Sequence, residues 1–147
     1  MANNSLYITC LIFISLDVRP PSIKKLDVEK RYLDGRFNPS ITVGTKLTVV
    51  RGVSVTIHCP IKSKYAFEIK WEILGKSETP SNKVTSNENM TAITVKDLSE
   101  DDTGKYTCYA SNNAGSDSAT STITVLGKLK NLLVSGRQYF IDHYSAS

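Results

Sequence analysis

The chain has 147 residues, a formal net charge of +4, 40% hydrophobic residues and 22% charged ones. That composition suits one globular domain with substantial flanks and excludes a low-complexity or disordered polymer. The positive charge is too slight to neutralise a run of phosphates, which sets nucleic-acid binding aside.

In chain order, Leu6 to Leu16 is an apolar run interrupted by Thr9, Cys10 and Ser15. It is too short to cross a bilayer. Its length suits the apolar part of a signal peptide. Yet Met1 to Ser5 carries no lysine or arginine, and Asp17-Val18-Arg19-Pro20-Pro21 stands where a small-residue cleavage site belongs. Two readings compete, a poor signal peptide and an edge of a longer protein, and we favour the second. Asp17 to Phe37 mixes both signs of charge around its prolines and is expected to be a solvated linker. Residues 1–37 then form an apolar segment and a charged linker, ahead of a domain at 38–127. Basic and acidic residues balance within that domain, so the net charge sits in the flanks.

Gly52 precedes a strand in which Val53, Val55, Ile57 and Cys59 share one face and Ser54, Thr56 and His58 the other. Period two with one apolar side marks a half-buried strand. Lys62 and Lys64, with Lys70, could form a basic spot for sulfated glycans or acidic partners; a solvated loop is the simpler reading. Phe67, Ile69, Trp71 and Ile73 alternate with Glu68, Lys70 and Glu72, predicting a second strand with a charged outer face, closed by Gly75. Asn89-Met90-Thr91 is an N-glycosylation sequon in a polar stretch expected to be an exposed turn. Ile93, Val95 and Leu98 predict a third strand and its exit. Tyr106, Cys108 and Ala110 predict a fourth, and Ser121, Ile123 and Val125 a fifth, with Asn112-Asn113-Ala114-Gly115 turning between them. In the tail, 128–147, the spacing of Leu129, Leu132 and Leu133 permits a short helix that Gly136 breaks. Ser135, Gly136 and Arg137 interrupt its apolar run, so it is no membrane anchor.

Catalytic chemistry finds no foothold. His58 points outward and His143 lies in the tail, neither beside an evident nucleophile. Glu100, Asp101 and Asp102 are an acidic run, but at a corner where a structural turn is the simpler reading. No glycine-rich phosphate loop, HExxH or CxxC motif is present, so no catalytic residue, metal or cofactor is expected.

Gly52, the pair Cys59 and Trp71, Ile93-x-Val95-x-x-Leu98, Asp102-x-Gly104-x-Tyr106-x-Cys108 and Ala110-x-Asn112-x-x-Gly115 together resemble an I-set immunoglobulin domain over about Ile41 to Leu126. The resemblance implies an all-β, two-sheet Greek-key sandwich with irregular N- and C-terminal flanks. It implies a disulfide between Cys59 and Cys108, with Cys10 left out, Trp71 packed on that bridge, and Tyr106 as a tyrosine corner. Many relatives carry an arginine where Lys83 stands, paired with the aspartate matching Asp102. A lysine lacks the planar fork, so the implied Lys83–Asp102 bridge is less directional.

A bridged pair suits an oxidising compartment. The function implied is a non-catalytic protein-recognition module of an extracellular matrix or cell-surface protein, glycosylated at Asn89 and one of an array. Cys59-Pro60 with Lys62 and Lys64 resembles modules of ADAMTS-like and hemicentin-type matrix proteins. The rival is an intracellular sarcomeric or cytoskeletal module with both cysteines reduced. Thiol counting separates the two.

Overall fold

The structure is a computed structural model and describes residues 17–74, 82–127, 130–134 and 137–141. The apolar run with Cys10, the glycine at position 75 and His143 lie outside the described residues. Two sheets face each other. One has the order β2 (Glu29–Tyr32), β4 (Lys46–Val50), β11 (Gly115–Leu126), β10 (Gly104–Asn112), β7 (Glu68–Ile73). The other has the order β3 (Ser40–Thr42), β5 (Val55–His58), β9 (Ala92–Val95), β8 (Val84–Ser86). A short ribbon pairs β1 (Ser22–Ile23) with β6 (Ile61–Lys62), and a 3-10 turn at Glu100–Asp102 leads into β10.

The alternation read from the sequence decides what is inside. Val53, Val55, Ile57 and Cys59 are buried from one sheet, and Tyr106, Cys108, Ala110, Ser121, Ile123 and Val125 from the other. Leu47 and Val49 of β4 complete that layer. The Cys59 and Cys108 sulfurs are bonded across the sheets, their Cα atoms 6.4 Å apart and 49 residues apart in sequence. Trp71 sits directly opposite Cys108 in the β7–β10 register and is 4% exposed. Each residue fills the sandwich because period two sends it there.

Three expectations need correcting. The second strand begins at Glu68, so Phe67 lies in the preceding loop and is 36% exposed, while Ile69 and Ile73 are only half-buried. This strand ends its sheet among the described residues, and at an edge the apolar face is only partly covered.

The stretch 17–37 is not a solvated linker. β1 pairs antiparallel with β6, and β2 runs parallel to β4. Pro21 and Ile23 are buried, and Tyr32 packs against the core. The Ile23 N–H donates to Asp117 Oδ2 at 2.8 Å, Asn112 Nδ2 to the Arg19 carbonyl at 2.8 Å, and the Tyr65 hydroxyl to the Asp17 carbonyl at 3.0 Å. Single apolar residues among charges hid this docking from any periodicity count.

In the tail, β12 (Lys130–Val134) and β13 (Arg137–Ile141) pair antiparallel, where a helix was permitted by the leucine spacing. Val134, Tyr139, Phe140 and Ile141 favour a pleated strand over a helix.

Candidate interaction face

The outer face of the five-stranded sheet is polar and broad. Its middle is a field of hydroxyls, with Ser118, Thr120 and Thr122 on β11 lying opposite Tyr109, Thr107 and Lys105 on β10. Thr107 and Thr120 share a hydroxyl–hydroxyl hydrogen bond of 2.9 Å. Beside them on β7, Lys70 lies opposite Tyr109 and Glu72 opposite Thr107. Tyr109 is 39% exposed and donates its hydroxyl to Glu72 Oε2 at 2.9 Å. That bond to a carboxylate holds the phenol pKa above its ordinary value, because losing the proton would set two negative charges together.

The sequence reading placed Lys70 and Glu72 on this face but passed over Tyr109. The signal was present: Tyr109 stands between the inward Cys108 and Ala110, so an aromatic side chain had to point outward.

Asp102, Gly104 and Tyr106 are structural. Asp102 is pinned in the 3-10 turn that leads into β10. Its Oδ2 receives the Ser99 N–H at 2.7 Å, the Ser99 hydroxyl at 2.8 Å and the Lys83 ammonium. Burial works to raise the Asp102 pKa, but the hydrogen bonds from Lys83 and Ser99 and the lysine charge outweigh it and hold the carboxyl below its ordinary value. The Asp102 carbonyl accepts the Tyr106 hydroxyl at 2.7 Å, the closure of a tyrosine corner. Burial, and next the Asp102 charge, push the Tyr106 phenol well above its usual range. Gly104 follows with a positive φ and the Leu74 side chain against it. Glu100 and Asp101, by contrast, face solvent.

Asn89 is exposed on the turn between β8 and β9, in the opposite sheet from Tyr109. Lys62 and Lys64 line a cleft with Arg19 and Tyr65, whereas Lys70 belongs to the outer face of β7, so they do not form one basic spot. His58 Nε2 is 2.7 Å from Ser40 Oγ on the outer side of β5. A second cleft is walled by Val18, Tyr65, Phe67 and Asn112. Among the described residues no three His, Cys, Asp or Glu side chains are grouped to hold a metal ion. No described helix is long and apolar enough to cross a membrane.

The immunoglobulin I-set domain model matches residues 40–125. The chain is 30% identical over 81 residues to myopalladin of Mus musculus, covering 54% of this chain and 6% of that protein. It is 32% identical over 78 residues to neural cell adhesion molecule 1-A of Xenopus laevis, covering 52% of this chain and 7% of that one. An I-band fragment of titin superposes with a TM-score of 0.54 at 25% identity, covering 78% of this chain and 35% of the fragment. The chain thus spans less than a tenth of the length of these curated relatives. I-set domains are protein-interaction modules, found in adhesion and in sarcomeric proteins alike. Matched sequence over most of the sandwich and the bridged, two-sheet core agree: the chain belongs to the immunoglobulin I-set family.

Proposed function

We propose that this chain is a non-catalytic recognition module of a cell-surface or matrix protein, binding a protein partner through the outer face of the five-stranded sheet. Tyr109 carries the reading. A large, rigid aromatic, part exposed and oriented by Glu72, lies amid small hydroxyls and two flanking charges. Tyrosines so placed supply much of the energy at protein interfaces, and charges beside them set register more than affinity. The Cys59–Cys108 bridge and the exposed sequon at Asn89 support an extracellular setting, and a glycan there would leave the Tyr109 face open. A photo-crosslinking residue at position 109 should capture a partner on living cells, and one at position 89 should not. Capture from 89 alone would place the binding face elsewhere.

The likeness to myopalladin and to an I-band fragment favours a second reading, an intracellular module with Cys59 and Cys108 as thiols. Free thiols in protein from its native source would decide for it.

A further inference from the structure

The docked N-terminal stretch adds β2 as the outermost strand of its sheet, so β2 rather than β4 presents the open edge. The Lys46 N–H donates to the Val28 carbonyl at 2.9 Å, so Val28 and Lys30 turn their backbone groups toward β4. By alternation, the N–H and C=O of Glu29 and Arg31 point away from the sheet, and no described residue bonds them. Their side chains share the outer face, 60% and 66% exposed, bonded to each other at 3.0 Å.

We propose that this edge pairs antiparallel with the same edge of a second copy of the chain, about a two-fold axis at Lys30. Charge decides the register. Residues whose backbone groups point outward must face each other, which leaves Glu29 and Arg31 as the pairing residues. An axis at position 29 sets Glu29 against Glu29, and one at position 31 sets Arg31 against Arg31. Only the axis at Lys30 sets Glu29 of each copy against Arg31 of the other. Each such pair then exchanges both backbone hydrogen bonds with Cα atoms about 5.5 Å apart. The two internal ion pairs become a square of alternating charge on one face, and networks of this kind outweigh isolated surface pairs. Val28, 38% exposed, comes opposite the half-buried Tyr32 of the other copy. The exposed Leu26 and Leu33 flank the same edge, so apolar surface is concentrated where the copies meet. Lys30 opposes Lys30, which keeps the pairing weak and reversible. Charged residues ordinarily protect a sheet edge from pairing. Here the charges are self-complementary, so protection holds against other strands and not against this one.

The test is sedimentation equilibrium of the full chain over rising concentration, with denaturation midpoints confirming that each variant folds. Wild type should self-associate, more weakly as salt is raised. Glu29→Arg and Arg31→Glu should each weaken association roughly tenfold or more, because both cross-strand pairs turn repulsive. An equimolar mixture of the two variants should associate again, since positions 29 and 31 are then both basic on one strand and both acidic on the other. Lys30→Thr should strengthen the wild-type dimer. A wild type that stays monomeric, single variants that associate like wild type, or a mixture that does not recover would each overturn the proposal.

Discussion

The indole N–H of Trp71 donates to the Met90 carbonyl at 2.7 Å, tying the centre of the core to the turn that carries Asn89. Met90 holds φ at 55°, a left-handed conformation that non-glycine residues adopt at a cost, and its side chain packs on the core. The hydrogen bond satisfies the only polar atom of a buried indole and fixes a strained turn with the same contact. The sequon is therefore presented by a turn anchored through the sandwich.

Trp71→Ala should cost about 3–5 kcal/mol, since it empties the layer against the Cys59–Cys108 bridge. Lys70→Ala, one residue away on the outer face, should stay within about 0.5 kcal/mol. Urea denaturation midpoints measure both. Equal midpoints would mean that the faces of β7 are assigned the wrong way round.

Asp102 titrates below its ordinary value in the folded chain, so its stabilisation is fully present above the unfolded carboxylate pKa of 3.8 and is lost as pH falls through the lower folded value. Wild type should lose more stability than Asp102→Asn when pH drops from 5 toward about 2. Lys83→Met should cost about 1–2 kcal/mol at neutral pH, because the Asp102 side chain, 15% exposed, then keeps only its Ser99 donors. Parallel acid-denaturation curves for wild type and Asp102→Asn would contradict this account of the corner.

Most of the sandwich was legible because period two and a bridged pair are local, repetitive signals: Val53 to Cys59, Tyr106 to Ala110 and Ser121 to Val125 all face as their alternation requires. The Lys83–Asp102 contact could be read from family likeness, although Lys83 stands just before β8 and Asp102 in the 3-10 turn before β10, 19 residues on. What escaped was non-local or aperiodic. Ile23 and Tyr32 are lone apolar residues whose burial depends on Asp117, Pro60 and β4, all distant in sequence. Phe67 fits the alternation but falls one residue before the strand that would have turned it inward. Tyr109 was visible yet undervalued, since an outward aromatic announces a surface only when its neighbours are known to be small and flat.

Tyr109 should titrate above an ordinary tyrosine, and Glu72→Gln should bring it back toward the usual value by removing the carboxylate that accepts its proton. Because the folded value is raised, any stabilisation from this bond is complete below pH 10 and fades as pH rises through the folded pKa. Ultraviolet titration compared with Tyr109→Phe isolates this phenol from the buried Tyr106. An unshifted Tyr109 in wild type would mean that the side chain is not held by Glu72.

On the proposed reading this sandwich works outside the cell as a bridged, glycosylated recognition module. The most direct measurement is the non-reducing peptide map of the protein from its native source, with free thiols blocked at lysis. The account predicts a Cys59 peptide linked to a Cys108 peptide, Cys10 in neither, and a glycan mass on Asn89. Blocked thiols at both Cys59 and Cys108 together with an unmodified Asn89 would contradict it and place the module inside the cell.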